Sequence, residues 1–325
     1  MIAYIIRRTL YAIPILIGVN VVTFALFFMV NTPDDMARLQ LGVKRVTPEA
    51  IASWKREHGY DKPLFYNAAA PGAAALKETI FYEKSLRMFA FDFGRADDGR
   101  DIAREIRLRM GPSLAVAVPV FVVGLLVYVT FALGLAFFRA TYIDFWGVVA
   151  CVAAMSISSM FYIIGGQYLI GKLWHLVPIS GFGDGLDALR FLTLPVAVGI
   201  VAGFGASARL YRTFFLEEIS KDYVRTARAK GLSEVTVLFR HVLKNAMIPI
   251  LTGVVAEIPL LFIGGLITES FFGIPGLGSY TVDAINSQDF GVVRSMVFIG
   301  STLYIVGLLL TDISYTLVDP RVRFG

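Results

Sequence analysis

The chain has 325 residues, 56% of them hydrophobic, with a net charge of +5 and a mean hydropathy of +0.68. Soluble domains average about 45–50% apolar, and here the surplus is gathered in runs longer than a core helix needs. That excludes a soluble globular protein and points to a polytopic membrane protein. The basic excess lies mostly beside apolar runs, as topology signals do, and does not mark nucleic-acid binding. The one cysteine, Cys151, rules out an internal disulfide and reads as a packing residue.

The predicted fold class is all-α, with six transmembrane helices at residues 9–30, 112–138, 145–172, 191–210, 246–268 and 291–317. Each run reaches the ~20 residues that cross ~30 Å of hydrocarbon. Arg7 and Arg8 precede the first run, and no small-x-small cleavage site follows it, so it is expected to stay as a signal-anchor helix. This organises the chain as 1–30 (N-terminus and first span), 31–111 (an external segment) and 112–325 (a five-helix core with a loop at 211–246).

The external segment carries its own helix signals. Thr47-Pro48-Glu49 supplies an N-cap and a first-turn proline, and Gly59 followed by Pro63 ends that helix. A second helix is expected over 74–89. A third is expected over 100–110, where Ile102, Ile106 and Met110 recur at helical spacing. Residues 68–75 read as a linker.

Orientation follows from Lys and Arg in the short loops. Arg7, Arg8, Arg139, the basic stretch 209–244, Arg321 and Arg323 fall on one side. The opposite loops hold only Arg190 after Lys172 and no base over 269–290. Both termini are therefore expected in the cytoplasm, with 31–111 outside.

The loop after the fourth span is the most informative stretch. A basic, Ala-containing helix is predicted from Asp222 to Lys230, capped by Ser220 or Asp222 and closed by Gly231. A second helix over 233–245 leads into the fifth span. Ala227 and Ala229 keep the first helix's surface low, so another protein can approach closely. Anionic lipid accounts for the charge of such a loop. It does not account for a short helix and turn written Arg225-x-x-Arg228-Ala229-x-Gly231.

Here the chain resembles a known family. Tyr223-Val224-Arg225-Thr226-Ala227-Arg228-Ala229-Lys230-Gly231-Leu232, followed by Arg240-His241 and Asn245-Ala246-x-Ile248-Pro249, resembles the coupling loop of binding-protein-dependent ABC importer permeases of the dipeptide/oligopeptide/nickel group. Arg7-Arg8-x-Leu10, Asp61-Lys62-Pro63-Leu64, Asp92-Phe93-Gly94, Glu269-x-x-Phe272-x-x-Pro275-Gly276-Leu277-Gly278 and Asp319-Pro320-Arg321-x-Arg323 resemble the same family in the same order. The chain departs from it where Arg225-Thr226-Ala227 replaces the broader Glu-Ala-Ala, where Pro33-Asp34-Asp35 lacks the usual glycine, and over 67–81.

The resemblance implies a type I ABC importer permease-like fold with a small external helical segment after the first helix. It implies the B-type subunit of a bacterial inner-membrane importer of di- or oligopeptides. Its partners would be a second, C-type permease, two ATP-binding subunits and an external substrate-binding protein. The chain itself would be no enzyme and carry no cofactor, with ATP hydrolysed on the partners. Tyr223, Arg225, Thr226, Ala227, Arg228, Ala229, Gly231 and Leu232 would contact an ATPase. Phe272, Pro275, Gly276 and Gly278 would face the delivery protein. Import of nickel or a metal chelate remains an alternative within the group.

Intramembrane charges complete the picture. Glu257, near the middle of the fifth span, is costly unless it faces water or a partner helix. It is the candidate translocation-path residue, attracting a cationic group; the alternative is a structural hydrogen bond. With Asp312 it would form a proton relay if the chain were an ion-coupled secondary transporter. Arg294 is expected to snorkel outward, and Gly199-x-x-x-Gly203 to permit close helix packing. His58, His175 and His241 do not cluster, no phosphate-binding Gly-Lys-Ser/Thr loop is present, and Gly181–Gly185 reads as a turn. No nucleophile, base and metal-ligand cluster supports a membrane enzyme.

Overall fold

A computed structural model describes residues 2–42, 46–183, 185 and 187–318. The C-terminal Asp319-Pro320-Arg321-x-Arg323 motif and Asp184 lie outside the described residues. No strand forms among those described, and five helices are long and apolar enough to cross a membrane, or six if one bent pair counts as a span. The chain forms two compact units, residues 1–110 with 280–309, and residues 111–279 with 310–325. These boundaries differ from the sequence partition, since the segment 280–309 joins the N-terminal unit.

In the first unit, α1 (Ile2–Ala25) runs into a π-helical turn at Leu26–Val30. Then come α2 (Pro33–Leu41), α3 (Pro48–His58), α4 (Ala74–Lys77) and α5 (Ile80–Lys84). The Thr32 side chain caps α2 by accepting from Asp35 N–H, and the Asp35 carboxylate accepts from Thr32 N–H, which completes a capping box. Thr47 accepts from Ala50 N–H at 3.3 Å, and Gly59 closes α3 at φ 68°, as its sequence signals predict. The helix expected over 74–89 is instead α4, α5 and a 3₁₀ turn at Leu86–Ala90, because Thr79 is extended and caps a new start. Phe24, Phe28, Met36, Trp54, Tyr60 and Ile80 form the core of this unit. Arg294 does not snorkel: it is 3% exposed, stacked over the Phe28 ring at 5.2 Å. Its guanidinium is laid across an aromatic face, where cation–π attraction offsets part of the lost hydration.

The helix expected over 100–110 is the first part of α6 (Ile102–Phe137), one helix of 36 residues. At 1.5 Å per residue it is roughly 54 Å long, well beyond the hydrocarbon thickness. In the second unit follow α7 (Tyr142–Met155) and α8 (Ser159–Gly166), bent against each other by 89°. The sequence predicts one span here. The run Ser156-Ile157-Ser158 breaks it, since the Ser156 hydroxyl turns back to Val152 O at 2.9 Å and Ser158 is extended. Serine competes locally for the backbone, which apolar counting does not register.

Then α9 (Asp187–Ile219) leads through α10 (Asp222–Ala229) and α11 (Glu234–Thr236) to α12 (Leu243–Glu257). Two further helices, α13 (Leu266–Phe272) and α14 (Leu277–Ser287), precede the last span, α15 (Phe290–Val318). α7 and α9 are tightly joined. A side chain at Gly205 would collide with the Cys151 carbonyl oxygen, so the helices meet backbone to backbone. Arg212 Nε and Nη2 donate to the Asp144 carboxylate at 2.7 and 2.6 Å, a bidentate pair.

Candidate functional site

The basic loop folds as the sequence predicts, but its faces are assigned by packing. α10 is amphipathic over only two turns. Val224 and Ala227 are buried against Phe215, Ile219, Val237, Leu238 and Val242, with Ala132, Leu133 and Ala136 of α6 beneath. Ala227 is therefore an inward anchor, and only Ala229 keeps the exposed surface low. Lys221, rather than Ser220 or Asp222, holds the N-cap position, with no side-chain bond. Gly231 ends the helix at φ 76°, a left-handed conformation that suits glycine.

Three of the named loop residues point inward or sideways. Tyr223 donates its phenol to Glu218 Oε2 at 2.5 Å, fastening α10 to the end of α9. Burial, and then that carboxylate, push the phenol up to about 12. Arg228 is held by Glu234, with Nε–Oε1 at 2.7 Å, so it braces α10 against α11. The outward face is left to Arg225, Thr226, Ala229 and Leu232. Arg225 has 74% of its side chain exposed and only a loose 3.5 Å approach to Asp222.

A cavity of about 550 Å³ opens in the same unit between α6, α9, α12 and the turn before α13. Its α9 wall repeats every fourth residue (Pro195, Gly199, Gly203, Ser207, Tyr211), the spacing of one helix face. Side chains at Gly199 and Gly203 would press on Val120 and on the Tyr128 hydroxyl, at 2.9 and 2.8 Å. These glycines thus let α6 approach α9 and keep the cavity open. The Tyr128 hydroxyl donates to Ile200 O at 2.7 Å. Glu257 lies on this wall at the end of α12, while Asp312 is not part of the lining.

The turn containing Phe272, Pro275, Gly276 and Gly278 is built around Glu269, which is 1% exposed. Its carboxylate accepts from Gly265 N–H at 3.1 Å, Gly278 N–H at 2.7 Å and Ser279 N–H at 3.2 Å. Ser113 also bonds to it, while the Ser113 hydroxyl oxygen accepts from Leu277 N–H at 2.8 Å. Leu277, Gly278 and Ser279 open α14, so their N–H groups are the donors a helix start leaves over. Glu269 and Ser113 cap α14 from other elements, with negative charge at the positive end of its dipole. Burial raises the Glu269 pKa, while the four hydrogen bonds pull the other way. Gly264 and Gly276 have no room for a Cβ, because the carboxylate occupies that space, and a Cβ at Gly278 would lie 2.6 Å from the Gly265 carbonyl carbon. Phe272 is buried and Gly273 turns the chain at φ 64°. Gly181 N–H donates to Phe272 O at 2.7 Å, tying the Gly-rich stretch to the end of α13.

The sequence brought Glu269 forward only as one letter of a motif. Its place three residues before the buried Phe272 and seven before the Gly276-x-Gly278 pair was the available signal. Neither Asp144–Arg212 nor the tyrosines of the cavity had a local signature.

Residues 108–324 match the family described as "Binding-protein-dependent transport system inner membrane component", and residues 1–70 match its N-terminal companion, "Binding-prot-dependent transport system membrane comp, N-term". The chain is 32% identical to the di/tripeptide transport system permease protein DppB of Pseudomonas aeruginosa, covering 99% of each chain. It is 31% identical to a putative peptide transport system permease protein of Brucella abortus, over 100% of each. It is 27% identical to the dipeptide transport system permease protein DppB of Escherichia coli, over 99% of each.

Proposed function

The chain belongs to the family of binding-protein-dependent transport system inner membrane components, and from that premise we propose that it is the B-type permease of an ATP-driven importer of di- and oligopeptides. It spans the bacterial cytoplasmic membrane several times, with both termini and the basic loop in the cytoplasm and the segment 31–111 outside. It pairs with a C-type permease to form the path, and two ATP-binding subunits hydrolyse ATP beneath it. An external binding protein delivers peptide to the outer turn at its exposed Pro275, while Phe272, Gly276 and Gly278, expected from the motif to face that protein, are buried beneath the turn and shape it instead.

The observation that carries this reading is the mounting of α10. A short helix with Val224 and Ala227 sunk into a cluster shared by α6, α9 and α12 cannot move independently of those spans. Its outward face of Arg225, Thr226, Ala229 and Leu232 is left for a partner. ATP-driven closure of two subunits is a rigid-body change, and a helix gripped at that interface passes it to the spans, which rock between inward-open and outward-open states.

The test is uptake of a labelled peptide into liposomes that hold the complete complex, with the delivery protein outside. Accumulation that requires both ATP on the cytoplasmic side and the delivery protein is the expected result. A complex that hydrolyses ATP in response to its delivery protein yet accumulates no peptide would overturn the peptide assignment.

A further inference from the structure

The cavity between α6, α9 and α12 has a charge pattern of its own. Its wall carries two carboxylates, Glu257 and Glu269, and no Lys, Arg or His. Glu269 is committed, since three backbone N–H groups and Ser113 occupy its oxygens. Glu257 has no hydrogen-bond or ion-pair partner among the described residues. It is exposed on the cavity side of α12, so its carboxylate is the free charge there.

The neighbours of Glu257 suit one kind of ligand. Tyr128 and Tyr211 share the wall, and Tyr128 has spent its hydroxyl hydrogen on Ile200 O, which leaves its oxygen as an acceptor. Ring faces and lone pairs attract cations. Ser207 adds a hydroxyl one helical turn from Tyr211 and from Gly203. A bare divalent metal needs several ligands together, and no group of three or more His, Cys, Asp or Glu is found among the described residues. An ammonium group needs one carboxylate and a few weaker acceptors. At about 550 Å³ the cavity lies within the roughly 300–1,000 Å³ of small-molecule sites.

We propose that Glu257, flanked by Tyr128 and Tyr211, is a way-station in the membrane that binds the protonated amine of a peptide in transit. The proposal rests on the peptide-importer reading and adds a specificity to it. Each peptide enters amine-first or with a basic side chain held there, and an additional acidic group near that amine is disfavoured by repulsion from Glu257. Glu269, being saturated by donors, shapes the outer wall and takes no part in holding the cation.

The experiment measures maximal uptake by the reconstituted complex at saturating peptide-loaded delivery protein, so that affinity for the delivery protein drops out. Three tripeptides are compared, with a neutral, a lysine or a glutamate side chain next to the amino terminus. Wild type is expected to favour lysine over neutral over glutamate. Glu257→Gln should lower uptake of the neutral and lysine peptides by about tenfold, the size of one charge-assisted hydrogen bond, and flatten the order. Glu257→Asp should keep the order, and Glu257→Lys should invert it. Assembly of each variant complex is read in parallel by size-exclusion chromatography, so that a lost subunit is not mistaken for lost uptake.

An unchanged order in Glu257→Gln would overturn the inference. So would a Glu257→Gln complex that no longer assembles, which would place the carboxylate in an ion pair with the second permease. Failure of the wild type to import any of the three peptides is a different outcome and would strike at the peptide-importer reading itself.

Discussion

Replacing Glu269 tests whether one buried carboxylate organises the turn between α13 and α14. In Glu269→Ala, the N–H groups of Gly265, Gly278 and Ser279 lose their acceptor together. A buried donor left unpaired costs about 1–3 kcal/mol. Loss of the three bonds and of the favourable charge at the start of α14 sums to roughly 3–10 kcal/mol, reduced where water from the adjoining cavity reaches a donor. Glu269→Gln keeps the shape. Its amide oxygen can serve Gly278 and Ser279, but its NH₂ then faces the Gly265 N–H, donor against donor. The cost falls to roughly 2–3 kcal/mol. Thermal unfolding of the purified complex measures the size of the effect, and limited proteolysis over residues 264–279 measures its place. The expected order is wild type, then Gln, then Ala, with new cleavage confined to that turn. An alanine variant within about 1 kcal/mol of wild type, or a glutamine variant as damaged as alanine, would refute the reasoning.

Further consequences follow from the same contacts. Gly278→Ala places a Cβ 2.6 Å from a backbone carbon, which cannot swing away, so it should cost more stability than Gly203→Ala, whose clash at 2.8 Å is with the Tyr128 hydroxyl. Thermal unfolding of both variants checks the order. In the loop, Arg225→Glu should leave the folded chain intact but weaken capture of the ATP-binding subunits in a pull-down. Arg228→Glu should also loosen α10 itself, because it sets two acids against each other at Glu234. Breaking the Asp144–Arg212 pair with Arg212→Ala leaves a carboxylate that is 9% exposed without its cation, and a loss of about 3 kcal/mol is expected. The double variant Asp144→Ala with Arg212→Ala should recover part of it.

A pH dependence is expected in the first unit. Burial, then repulsion from Arg294, pushes the Lys84 amine down to about 8 from 10.5. Below pH 8 the folded chain carries the buried ammonium at full cost. Between pH 8 and 10.5 the folded state sheds that proton while the unfolded state still binds it, so stability rises through this window. The rise is at most about 3 kcal/mol. Lys84→Met should be more stable than wild type at pH 7 and lose that advantage by pH 10.5.

Much of the fold was legible because its signals are local. Apolar run length marked the spans, Thr47, Pro48 and Gly59 bounded α3 through their own backbone preferences, and Gly231 marked the end of α10 because the next turn needs a left-handed residue. The basic loop was visible as a short charged helix with a defined stop for the same reason, since its charge, helix and stop are all short-range. What the sequence could not decide are contacts between residues far apart in the chain. Ala227 and Ala229 look alike in sequence, yet one is an anchor in the core and the other faces out, because only the packing of α6, α9 and α12 says which side of α10 is covered. The break at Ser156–Ser158 was hidden inside an apolar run, where hydropathy averages over the serines that redirect the backbone. Glu257 and Glu269 are both lone acids by sequence. The tertiary structure separates them, giving Glu269 four donors across a closed turn and leaving Glu257 facing open space, since hydrogen-bond saturation is set by neighbours that the chain brings from 150 residues away as readily as from four.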